Sequence, residues 1–107
     1  MKNLIVCDIP LRIGGNKLEN ELIINSMKDN DTWFHISDFP SAHMAIEADY
    51  TTLSKSTIYR ISLELKKNSK FKKSNSIGII YTHRKNVKLT NNVGTVIIDG
   101  KYKIINT

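Results

Sequence analysis

Three residues of this 107-residue chain have the types and spacing to do chemistry: Trp33, His35 and His43. Trp33 and His35 stand two apart, and His43 follows across a short polar loop, so an indole and two imidazoles can gather on one side of a strand pair. Imidazoles serve as general acids and bases, as metal ligands, or as hydrogen-bonding edges. With Asp31 or Asp38 as a third partner the pair invites a metal or hydrolytic reading. The spacing fits no metal-ligand template, and the third histidine, His83, falls in a basic turn remote in sequence. The chain has no Gly-x-Ser-x-Gly, no phosphate-binding loop and no His-Glu-x-x-His, and Gly14-Gly15-Asn16 lacks the third glycine of a dinucleotide site. The expectation is therefore a non-enzymatic protein with no catalytic residue, no metal site and no cofactor. Exposed, the indole and imidazoles would suit unstacked bases. Packed, Trp33 would be core, and His35 and His43 would lock a hairpin by bonding to the backbone.

The charges point the same way as the exposed alternative. Residues 1–50 carry four bases and eight acids, whereas residues 51–107 carry twelve bases against only Glu64 and Asp99, within an overall +6. The densest run is Lys66, Lys67, Lys70, Lys72 and Lys73, with Phe71 among them; Arg84, Lys85 and Lys88 form a second cluster. If the fold brings the clusters together, they make a basic groove for a polyanion. The competing reading is a solvated helix end in a chain whose 13 lysines and 3 arginines reflect coding bias.

The elements that must position these residues are short. Leu4-Ile5-Val6 predicts a buried strand, with Pro10 beyond it and Cys7 as an inert buried thiol. The lone cysteine makes no internal disulfide, and no apolar run is long enough for a bilayer, so a cytoplasmic protein with no membrane partner is expected. Leu11-Arg12-Ile13 alternates into the Gly14-Gly15 turn, and Asn16 or Asn20 can cap a helix through Ile24. Strands are predicted over Thr32–Ile36 and His43–Ala48. Alternation sends Phe34, Ile36, Met44 and Ile46 to the core, and Trp33, His35 and His43 to an opposite, open face. Leu53, Ile58, Ile61 and Leu65 share one face of a helix capped by Ser54 or Ser56. Strands follow over Ile77–Thr82 and Val87–Leu89. Asp99-Gly100 then predicts a two-residue hairpin that pairs Ile97 with Tyr102 and buries Thr95, Ile97, Tyr102 and Ile104. The fold class is α+β, a single domain over residues 1–107, with a mostly antiparallel sheet and two helices packed on it.

In order along the chain, Gly14-Gly15-Asn16-x-x-Glu19-Asn20-Glu21, Asp31-Thr32-Trp33-Phe34-His35 and Pro40-Ser41-Ala42-His43 resemble the NFACT-R domain. Ile79-Ile80-Tyr81-Thr82, Asn86-Val87-Lys88 and Gly94-x-Val96 are similar to that family's C-terminal strands. The resemblance spans residues 13–105. It implies an RNA-binding module related to the ribosome quality-control proteins, with tRNA or ribosomal RNA as ligand. Asn16, Asn20, Trp33, Phe34, His35, His43, Tyr81 and Lys88 would build or line its site. The chain departs from the family at Gly15, where an arginine is usual, and at Ser41-Ala42, where Gly-Ser is usual.

The combined expectation is a nucleic-acid-binding module. RNA is the expected partner, and DNA remains an alternative. Lys66, Lys67, Lys70, Lys72, Lys73, Arg84, Lys85 and Lys88 would hold phosphates, and Trp33, His35, His43 and Tyr81 would contact bases. The alternative is a protein-interaction module docking on a ribosomal or quality-control factor.

Overall fold

The computed structural model describes all of residues 1–107. Strands β1 (Lys2–Val6) and β2 (Ile9–Ile13) form a hairpin. Its loop is Cys7-Asp8, with φ +52° and +64°, the left-handed pair that matches strand twist. Cys7 is thus a half-exposed turn residue rather than a buried one, and Pro10 lies inside β2. β1 is not a buried strand either. It is a sheet edge, where Leu4 and Val6 touch the core and Ile5 is 73% exposed.

Helix α1 (Lys17–Ser26) starts at its N-cap, Asn16. Strands β3 (Thr32–Ile36) and β4 (Met44–Ile46) pair Thr32 with Ile46, Trp33 with Ala45 and Phe34 with Met44. Helix α2 (Lys55–Lys67) is capped by Ser54, whose hydroxyl accepts from the Thr57 N–H. Strands β5 (Gly78–His83), β6 (Val87–Leu89), β7 (Val96–Ile98) and β8 (Lys103–Asn106) complete the chain. The main sheet is antiparallel, in the order β1-β2-β4-β3-β5-β8, and β6 and β7 form a separate two-stranded sheet. The fold is the α+β class that the hydrophobic pattern predicts. No helix is long and apolar enough to cross a membrane.

Both faces of the main sheet are covered. On one, Ile58, Ile61 and Leu65 of α2 pack on Leu11, Phe34, Ile36, Met44, Ile46 and Ile79. On the other, Ile23 and Ile24 of α1, Met27 just beyond its end and Val87 of β6 pack on Trp33 and Ala45. The alternation reading is right about which residues share a face. It is wrong about exposure, because α1 and the small sheet close the second face.

The Asp99-Gly100 hairpin does not form. β7 pairs with β6, and β8 pairs with the open edge of β5, with Ile79 opposite Ile105 and Ile80 opposite Ile104. Asp99-Gly100 is instead a corner between the two sheets. The Asp99 N–H donates to Asn86 O (2.7 Å), and the Lys101 carbonyl accepts from Thr82 Oγ1 (2.6 Å) and Asn86 Nδ2 (3.2 Å). Gly100 sits at φ +128°, where a side chain would also strike Asn86. Asp-Gly is a local turn signal, and local preference loses here to the unpaired edge of β5. Ile97, Tyr102 and Ile104 are consequently exposed rather than buried.

Candidate nucleic-acid interface

The site is anchored where the Gly14-Gly15 turn enters α1. Asn16 Oδ1 accepts from the Glu19 N–H (2.9 Å), and Glu19 Oε1 accepts in return from the Gly15 N–H (2.8 Å), a variant of the capping box. One helical turn on, the buried Asn20 turns its Oδ1 toward β4 and accepts from the His43 N–H (3.1 Å), while the Gly14 N–H donates to His43 O (3.0 Å). Asn20 Oδ1 occupies the position a β-carbon on Gly14 would need, so no side chain fits there. Asn16 and Asn20 therefore build the site by holding α1 against the β3–β4 loop.

Held in this way, the histidines and the indole form one cluster. His35 stacks on Trp33 (centroids 5.6 Å apart, planes 10° apart), and His43 stands edge-on to both rings, at 5.3 and 5.0 Å. The Trp33 indole N–H donates to Nδ1 of His43 (3.2 Å). Trp33 is 2% and His43 3% exposed, so neither is the open stacking platform that strand alternation suggests; His35 is half-buried. Burial, reinforced by the neighbouring His35, pushes His43 down to about 4. Burial likewise lowers His35, against a smaller opposing effect of the Ile36 backbone. Both rings are neutral at pH 7.

The cluster forms the floor of an open cleft of about 500 Å³ between α1, the β3–β4 loop and the Gly94–Val96 segment, with Ile80, paired opposite His35 on β5, and Ile98 and Tyr102 also lining it. It continues into a second cleft of about 460 Å³ through four shared residues, Lys17, Asn20, Pro40 and Ser41. The second cleft runs between the Gly14–Lys17 turn and Asn68–Phe71, just beyond the end of α2. Together they make one groove with Lys17 and Lys70 along it. Gly94, at φ +75°, lies so close to the Lys17 backbone that a side chain would overlap it, which brings the loop down onto the first turn of α1.

The predicted phosphate contacts divide. Lys67, Lys70, Lys72, Lys73, Lys85 and Lys88 are exposed. Lys66 is half-buried and donates to Thr107 O (2.8 Å). Arg84 donates from Nε to Ile24 O (2.7 Å) and from Nη1 to Val87 O (2.8 Å), clamping the C-terminal end of α1 to β6. Both cations are spent on backbone carbonyls. The two basic clusters do not merge: the Lys66–Lys73 run borders the N-terminal end of α1, and Arg84 sits at its other end. Phe71 is a packing residue, against Phe39 (4.7 Å) and under Lys70, whose ammonium lies 5.4 Å from the ring centroid.

Tyr81 does not join the Trp33 cluster. It pairs with Phe34 across β5 and β3, stacks on it at 5.6 Å and is buried in the α2-side core. His83 is also elsewhere, with Nε2 2.7 Å from Asp49 Oδ1. Sequence reasoning missed Lys17, Ser41 and Tyr102 as groove residues. Lys17 and Ser41 sit inside the glycine-rich and proline motifs already singled out, but Tyr102 carries no local signal.

A family model described as the NFACT protein RNA binding domain matches residues 6–106. The solved structure of the C-terminal of the fibronectin/fibrinogen-binding protein from Streptococcus suis is similar in fold, with a TM-score of 0.83 and 23% sequence identity over 97% of this chain and 43% of that one. The chain thus spans less than half the length of that solved relative. A search of the curated proteins finds no match.

Proposed function

This chain belongs to the family of NFACT protein RNA-binding domains, and from that premise we propose that it binds RNA along the groove between α1, the β3–β4 loop and the end of α2. The observation that carries the reading is that the basic run opens onto this groove: Asn68, Ser69, Lys70 and Phe71 form one of its walls, and Lys17 lies on the other. Lys67, Lys70, Lys72 and Lys73 supply the phosphate contacts, and Lys85 and Lys88 a second contact point at the far end of α1. Lysine ammoniums on flexible stems attract backbone without reading bases, so binding is weakly sequence-specific. The ligand in this reading is tRNA or ribosomal RNA in a cytoplasmic quality-control setting, as the family implies.

A salt titration tests it. With four exposed lysines engaged, log affinity for a single strand falls with log salt at a slope of about −3. Changing Lys70, Lys72 and Lys73 to glutamate weakens binding to all sequences alike and flattens the slope. The exposed Tyr102 and Ile104 at the β8 edge favour a second reading, docking on a protein partner. Binding that ignores salt and survives the triple charge reversal would overturn the RNA reading in favour of that one.

A further inference from the structure

The floor of the first cleft holds a hydrogen-bond donor with no partner. An indole N–H can only donate, so Nδ1 of His43 must be the acceptor and the ring proton sits on Nε2. Nε2 has no protein partner, and it is not sealed in the core, because Ser62 Oγ is the one buried side-chain polar atom without a hydrogen bond. His43 is 3% exposed and lines the cleft, so Nε2–H is a nearly buried donor, fixed in tautomer by Trp33 and open on the ligand side alone. Beside it stands the His35 ring, edge-on to His43 at 5.0 Å, Tyr102 also lines the cleft, and the exposed Lys17 lies where the two clefts meet.

We propose that this cleft takes one unpaired nucleobase of the bound RNA, an acceptor on the base edge meeting His43 Nε2–H and the adjoining phosphate meeting Lys17. The inference rests on the RNA-binding reading and names what that groove holds. A volume of about 500 Å³ lies in the range of small-ligand sites, larger than a base needs and open at one side for the strand. The floor suits a neutral acceptor rather than a phosphate. Both imidazoles are held neutral by burial, and a desolvated phosphate against neutral rings would lack a countercharge. The cation available to the adjoining phosphate is the exposed Lys17, which lines both clefts.

Trp33 is the sole tryptophan of the chain, so its fluorescence reports directly on the cleft. The probes are a short single-stranded RNA, an abasic strand of the same length, a nucleoside monophosphate and inorganic phosphate. The base-bearing strand is expected to quench Trp33 and to bind about tenfold tighter than the abasic strand, the usual worth of one well-held base. The abasic strand binds with the same salt slope and leaves Trp33 unchanged. Since His43→Ala also removes a packing partner of Trp33, the discriminating variant is Tyr102→Ala, at a half-exposed side chain with no hydrogen bond in the fold. It should erase most of the tenfold difference and leave abasic binding intact. Equal affinity for the two strands, or quenching by inorganic phosphate, would overturn the base-binding cleft and leave the RNA reading standing. A nucleoside monophosphate binding as tightly as the strand would assign the cleft to free nucleotide and overturn its role in RNA. Binding of neither strand at low salt would overturn the RNA reading itself.

Discussion

Replacing Gly14 with alanine tests the lock that holds the groove together. The new methyl would overlap Asn20 Oδ1 and stand 3.1 Å from the Asn20 backbone nitrogen. Asn20 must then swing away, and the buried His43 N–H loses its acceptor at 3.1 Å. An unsatisfied buried donor costs about 1–3 kcal/mol, and crowding the first turn of α1 adds about 1 kcal/mol. The sum, about 3 kcal/mol, lowers Tm by about 12 °C for a domain of this size. Gly15→Ala is the control. Its methyl meets only Glu19 Oε1, at 3.1 Å, the tip of a flexible side chain that can move, so the cost stays below about 1 kcal/mol. Urea unfolding of both variants, and of each combined with Asn20→Ala, gives the coupling. With Asn20 truncated the Gly14 penalty should largely vanish, an interaction of at least about 1 kcal/mol. Equal destabilisation by Gly14→Ala and Gly15→Ala, or strict additivity with Asn20→Ala, would refute the assignment of Asn20 as the residue that pins α1 to β4.

Three further outcomes follow from the geometry. His43, lowered to about 4 by burial, should show no imidazole titration by NMR above about pH 5; because the unfolded ring binds its proton near 6.5, stability should fall by about 2–3 kcal/mol as pH drops from 6.5 to 4, and a midpoint near 6.5 would contradict this. Asp49, lowered to about 2 chiefly by its bond to His83 and then by Thr51, stabilises the fold above its unfolded value near 3.8; the stability gap between wild type and Asp49→Asn should close as pH falls from about 4 to 2, and a gap that is constant with pH would exclude the carboxylate as its source. Arg84→Ala removes two charged hydrogen bonds to backbone and should cost about 2–4 kcal/mol in urea unfolding, whereas Lys85→Ala should stay within about 0.5 kcal/mol; equal costs would return Arg84 to the surface cations.

What the sequence by itself determined is what short-range stereochemistry controls. The strand Thr32–Ile36 is readable, and the caps are narrowed to Asn16 or Asn20 and Ser54 or Ser56, of which the fold uses Asn16 and Ser54, because capping, turn preference and alternation act within a few residues. Alternation also separates Phe34, Ile36, Met44 and Ile46 from Trp33 and Ala45, and the two sets occupy opposite faces of the sheet. Which face meets water is not a property of the strand. It depends on α1 and β6 arriving over Trp33, and that packing turns an apparent stacking platform into the floor of a cleft. The same limit explains the C-terminal strands. Asp99-Gly100 favours a tight hairpin locally, but hydrogen-bonding the exposed edge of β5 is a long-range gain that no window of the sequence contains. Charge behaves in the same way. Composition finds the basic half, yet only the fold decides that Arg84 and Lys66 satisfy backbone carbonyls of Ile24, Val87 and Thr107 while Lys17 and Lys70 stand along a groove, because a cation's partner is set by whichever backbone the tertiary structure leaves unpaired beside it.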